Sequence, residues 1–191
     1  MTSLKTTTPL PDRCTETSDL LTAAANEAEN VRSPLYALIA QQPFFKGLNP
    51  QQLQLLAEQA LEMQFETGQE LLHEGSAANR FYLILEGQVV LETELAERGI
   101  FPIQTLGPGD DLGWSWLFPP YLLNLSARAL TPTRTIFFYG TRLRERCEQD
   151  HDLGFQLMQR IAEVLIQRLH ATQQRLVECI GTNKLSSLPE P

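Results

Sequence analysis

The chain has 191 residues, 42% of them hydrophobic and 20% charged, with a formal net charge of −8 at pH 7. That length carries one domain with a full core, and the composition is that of an ordinary folded protein. The acidity disfavours nucleic-acid phosphates and anionic membrane surfaces, no run of four Lys or Arg offsets it, and no stretch of ~18 apolar residues offers a membrane span.

Residues 1–32 are rich in Thr, Ser, Asp, Glu and Pro and are expected to form a disordered leader, with a weak helix over 18–30. They lack the apolar core of a secretory signal. The three cysteines, Cys14, Cys147 and Cys179, are scattered and odd in number, which points to reduced thiols and a cytoplasmic protein rather than a disulfide framework or a zinc site. Order is expected from Ser33, a helix cap followed by Pro34 at the first helical position. Asn49 and Pro50 repeat that signal, and Leu53, Leu56, Ala57, Ala60 and Leu61 form an apolar stripe; the two helices are assigned to 33–63.

The period changes near Gln64. From 64 to 140 the chain is a series of short β-branched or aromatic segments bounded by glycines, which predicts an all-β roll, barrel or sandwich. Helical periodicity returns over 141–180. TRLRERCEQD is a short helix, and a helix of some thirty residues follows, with Asp150 or Asp152 as its cap. Leu157, Ile161, Val164, Leu165, Leu169 and Leu176 fall at three- and four-residue steps, while Gln167, Arg168, Gln173, Gln174 and Arg175 occupy the other surface. A helix this long exceeds what a small roll covers. Its second half is therefore expected to meet a second copy, giving a homodimer through those six apolar residues. Residues 181–191 are expected as a flexible tail.

Four separated strings occur in order: PFFKGL (43–48), GQELLHEG (68–75), RFYLILEGQVVL (80–91) and TLGPGDDLGWSWLF (105–118). Together they resemble the cyclic-nucleotide-binding domain of the catabolite activator family and of kinase regulatory subunits, over about 33–180. The resemblance implies a mainly β fold, an eight-stranded antiparallel β-roll (a jelly roll) with N-terminal helices and a long C-terminal helix. It also implies a phosphate-binding cassette. There, backbone N–H groups of a short helix and one arginine hold the cyclic phosphate, and a glutamate takes the ribose 2′-hydroxyl.

Gly113 falls on the cassette glycine, and the glutamate position is Trp114. The arginine position is Asn124 counted forward from Gly113, or Leu123 counted back from ARA (127–129). Arg128 reaches the pocket only in a different register. Each missing anchor removes roughly 1.5–3 kcal/mol, so binding of cAMP or cGMP in the family's usual way is not expected. Backbone N–H groups from Gly113 to Trp116, the Ser115 hydroxyl, Asn124, Ser126 and Arg128 remain candidate contacts for some other effector. Trp114 and Trp116 either stack on that ligand or fill the pocket as core; filling is the favoured reading.

His73, His151 and His170 lie in different elements, so no metal cluster or catalytic site is expected. No cofactor is expected. Many members of the family carry a helix-turn-helix domain after the long helix. Only about ten residues follow that helix here, so no direct nucleic-acid contact is expected. Two readings stand: a non-enzymatic effector-sensing module whose long helix responds to a small molecule, or a closed-pocket module that docks a protein partner through its dimer or its C-terminal helix.

Overall fold

The computed structural model describes residues 33–96 and 98–185. The expected leader helix at 18–30 and the last residues of the expected tail lie outside them. The elements run α1 (Tyr36–Ala40), a 3-10 turn (Pro43–Phe45), α2 (Pro50–Gln59), β1 (Leu61–Phe65), β2 (Glu70–Leu72), β3 (Arg80–Glu86), β4 (Val89–Leu95), β5 (Gly99–Leu106), β6 (Asp111–Leu112), a second 3-10 turn (Trp114–Leu117), β7 (Ser126–Ala129), β8 (Thr133–Tyr139), α3 (Gly140–Gln149) and α4 (His151–Leu185). The eight strands form two antiparallel four-stranded sheets, ordered β1-β8-β3-β6 and β2-β7-β4-β5. This is the expected roll with flanking helices.

Two cores explain why β3 and β8 read as nearly continuous apolar runs. Tyr82, Ile84 and Phe137 point between the sheets, with Leu71, Val89, Leu106 and Ala127. Phe81, Leu83, Ile136 and Phe138 point the other way, against Ile39, Phe44, Phe45 and Leu56 of the N-terminal elements and Leu153, Leu157 and Ile161 of α4. Strand alternation sends successive side chains to opposite faces, and both faces are covered here.

The N-terminus of α2 is as read: the Asn49 side chain accepts from the Gln52 N–H at 2.9 Å, and the Gln52 side chain accepts from the Asn49 N–H at 3.1 Å, a closed capping box. Its end is a correction. Ala60 is extended (φ −81°, ψ 148°), so the helix stops at Gln59, and Leu61 pairs with Phe137 at a sheet edge, 49% exposed. The roll thus begins at 61 rather than 64. Similarly, α1 begins at Tyr36, with Leu35 and not Ser33 at its cap position.

Asp150 caps α4 as expected: its Oδ1 accepts the Leu153 N–H at 2.9 Å, and its Oδ2 accepts from Gln52 Nε2 at 3.3 Å. The helix then runs 35 residues to Leu185, past the Gly181 at which the tail was expected to start. No described helix is long and apolar enough to cross a membrane.

Candidate functional site

The cassette follows β6. Gly113 has φ 89°, and a Cβ there would lie 2.2 Å from the Arg80 carbonyl oxygen, so both conformation and space demand glycine. This sharp turn delivers the four-residue 3-10 turn WSWL. Trp116 is 1% exposed and belongs to the helix-side core, edge-on to Phe81 with centroids 6.3 Å apart. It sits so close to Gly140 that a Cβ on that glycine would be 2.5 Å from the Trp116 Cβ. Trp114 is half-buried against the same core and edge-on to Phe118 at 6.4 Å. Beyond them Tyr121 carries the Arg144 guanidinium over its ring at 4.2 Å.

Between this turn and the sheets lies a cavity of about 60 Å³, walled by Leu72, Leu91, Leu112, Leu123 and Leu125, with Ser115 and Asn124 as its uncharged polar side chains. One cationic side chain lines it among the described residues, and it comes from outside the cassette: Arg168, on α4. Arg168 NH2 donates to the Asp111 carbonyl oxygen and stands 3.8 Å from the Asp111 carboxylate. Asp111 is 3% exposed, and its Oδ2 has no hydrogen-bond partner. Burial pushes that carboxyl up to about 6, against the opposing pull of Arg168 and with a further upward push from Asp110.

Residues 62–150 match the family described as the cyclic nucleotide-binding domain. A solved structure of a putative cyclic nucleotide-binding protein from Geobacter metallireducens GS-15 aligns at 36% identity with a TM-score of 0.62, over 68% of this chain and 93% of that one. The chain belongs to the cyclic-nucleotide-binding domain family. A cyclic nucleotide-binding-like protein from Brucella abortus is 30% identical over 59% of this chain and 97% of its own, with a TM-score of 0.51. The CRP-like cAMP-activated global transcriptional regulator of Mycobacterium tuberculosis is 25% identical over 146 residues, which is 76% of this chain and 63% of the relative's length.

Within this cyclic-nucleotide-binding fold the sequence-predicted residues separate into three groups. Gly113, Trp114, Ser115 and Asn124 come together around the cavity, as does Leu123, the alternative arginine position. Trp116 does not join them, because it is spent on the core. Ser126 and Arg128 lie on the opposite face of β7 from the buried Ala127 and Ala129. The Ser126 hydroxyl accepts the Glu74 N–H at 2.9 Å. Arg128 Nε donates to Glu92 at 2.9 Å and NH1 to the Gly68 carbonyl at 3.1 Å. Arg128 therefore points away from the cavity and does not replace the missing cassette arginine.

The six expected dimer residues also divide. Leu157 (2% exposed) and Ile161 (0%) are buried in the chain's own core, with Val164 and Leu165 packed against it, whereas Leu169 (56%) and Leu176 (60%) are exposed. The first four are corrected from dimer face to core face, because α4 lies on the roll over its first half. Elsewhere, His73 pairs with Glu70 at 3.2 Å on the surface. Burial pushes the Cys147 thiol up to about 11, which leaves it unreactive at neutral pH. Among the described residues no group of three His, Cys, Asp or Glu is placed to hold a metal.

Proposed function

We propose that the chain is a non-enzymatic, cytoplasmic regulatory module of the cyclic-nucleotide-binding family whose cassette does not take cAMP or cGMP in the family's usual way. The cavity carries this reading. Its volume of about 60 Å³ is far below the roughly 300–1,000 Å³ of sites that enclose a drug-sized ligand. Leucines make up half of its lining, and Trp114 stands where a glutamate would meet a ribose. The M. tuberculosis relative is named as cAMP-activated; here the regulatory role is kept and the effector is not. Calorimetry with cAMP, cGMP and a panel of cyclic dinucleotides tests this. No heat from folded protein at millimolar ligand is the expected result. A dissociation constant in the micromolar range or tighter would overturn it.

A second feature favours output through protein association. Along α4, Phe155, Met158, Ala162, Ile166, Leu169, Gln173, Leu176 and Ile180 are all exposed. Their steps of three and four are those of a coiled-coil seam, distinct from the buried face at Leu153, Leu157 and Ile161. The occupant proposed for this seam is a second copy of the chain. Docking of a different protein onto the seam is the alternative.

A further inference from the structure

Outside the cassette a groove of about 550 Å³ lies between one face of α4 and the turn that joins β5 to β6. Among the described residues, Arg168 is the single one that lines both this groove and the cassette cavity. The volume falls within the range of small-molecule sites. Its helical wall is built by positions 160, 163, 164, 167, 168 and 171, the successive rows of one helix face.

The charged groups of this groove already have partners, and Asp110, which faces no cation among the described residues, accepts the Gly107 N–H at 2.8 Å. Arg160 NH1 donates to Glu163 at 2.7 Å and NH2 to the Lys46 carbonyl at 2.6 Å. Arg168 faces Asp111. A bare cation or anion entering here would compete with an existing partner. The unmet functions are hydrogen bonds. Asp111 Oδ2 is buried with no donor, since Arg168 stands 3.8 Å away, beyond hydrogen-bond reach. The side-chain amides of Gln104 and Gln167 line the same groove uncommitted. Phe44 and Val164 add apolar surface for a flat organic body. A buried acceptor without a donor costs free energy that the right ligand restores.

We propose that this groove is a second ligand site, selective for a neutral small molecule carrying a donor beside an acceptor, such as a carboxamide, urea or lactam. Its N–H groups would satisfy Asp111, its carbonyl would accept from Arg168, and the two glutamine amides would meet its remaining edge. An occupant touches both α4 and the β5–β6 turn, so it ties the long helix to the roll. The site stands whether or not the cassette takes a nucleotide.

Three isosteric probes test it: benzamide, benzamidinium and benzoate, titrated into 15N-labelled protein at constant ionic strength. Benzamide is expected to shift the amides of 104, 109–111 and 163–171 saturably, with a dissociation constant on the order of 1–10 mM for a ligand of its size. Both charged isosteres are expected to bind at least ~5-fold more weakly. Asp111→Leu removes the acceptor, and Gln167→Leu, on an exposed position, removes an amide without touching the core. Each is expected to weaken benzamide about 5-fold or more. If benzamide gives no saturable shift, if a charged isostere binds more tightly, or if Gln167→Leu leaves the titration unchanged, the site is not of this kind.

Discussion

Asp111 is one half of the sequence Asp110–Asp111, which lies between Gly109 and Gly113. In the fold its two residues part: Asp110 Oδ2 accepts the Gly107 N–H at 2.8 Å at the surface, while Asp111 enters β6 opposite Leu83 and is buried. Its carboxyl lies at about 6, above the model-peptide 3.8, chiefly because burial penalises the charge. A group raised on folding contributes stability that is fully present below its unfolded value and is lost as pH rises through its folded one. Stability should therefore fall between pH 4 and pH 7 by up to about 3 kcal/mol from this residue. Asp111→Asn should flatten that slope and raise stability at pH 7.5 by about 1–3 kcal/mol, read from urea unfolding of both proteins across the range. Parallel slopes for the two proteins would remove Asp111 from the account. At this scale the sequence was uneven in what it disclosed. Gly113 and the loss of the glutamate at Trp114 could be read from spacing alone. Core filling was the favoured reading of Trp114 and Trp116, but how the two divide between core and cavity, and which groups Arg128 meets, could not be read, because they depend on which face of a short turn or strand meets the core. The cation at the cavity was invisible for the same reason: Arg168 is far off in sequence and is indistinguishable from its polar neighbours on the helix surface.

At the scale of elements, α4 is held to the roll by two different means along its length. Over its first half, Leu153, Leu157 and Ile161 are buried in the helix-side core. Over its second half, arginines reach back to backbone carbonyls: Arg168 to Asp111, then Arg175 to Ile103 on the edge strand β5, continuing the row begun by Arg160 at Lys46. Steps of eight and seven place all three on one helix face. An arginine–carbonyl hydrogen bond at a partly exposed site is worth about 1 kcal/mol after screening, far less than the burial of a leucine. The distal half should thus be the readily released part. Arg168→Ala with Arg175→Ala should speed amide exchange over 168–178 by roughly 10-fold and leave 153–164 unchanged. Uniform acceleration along α4 would show that the two halves are one cooperative unit. Periodicity found this helix and Asp150 found its cap, but a single stripe of three- and four-residue steps hid two interleaved faces. Leu157, Ile161, Val164 and Leu165 belong to the inner one, Leu169 and Leu176 to the outer.

That outer face sets the prediction for the whole molecule. Two copies joined along it would bury Ile166, Leu169, Leu176 and Ile180 from each chain, all more than half exposed in the single chain. At about 1.5–3 kcal/mol for each side chain fully removed from water, the gain is enough for a micromolar dimer after the cost of association. Gln173 interrupts the apolar seam and would fix its register, since a misaligned pair leaves the amide facing a leucine. The formal charge of −8 on each copy opposes the approach. Salt screens that repulsion without weakening the apolar contact, so association should tighten as ionic strength rises. Sedimentation of the full chain should show twice the chain mass at tens of micromolar, increasingly so with added salt. Leu169→Glu with Leu176→Glu should give a monomer of unchanged thermal stability below the concentration of dimerisation, because neither residue touches the core. Leu157→Ala should do the reverse, lowering stability by about 2–5 kcal/mol while leaving the seam intact. A wild-type chain that stays monomeric at these concentrations would move the seam from self-association to a different protein. A double variant that remains dimeric would place the interface off α4 altogether.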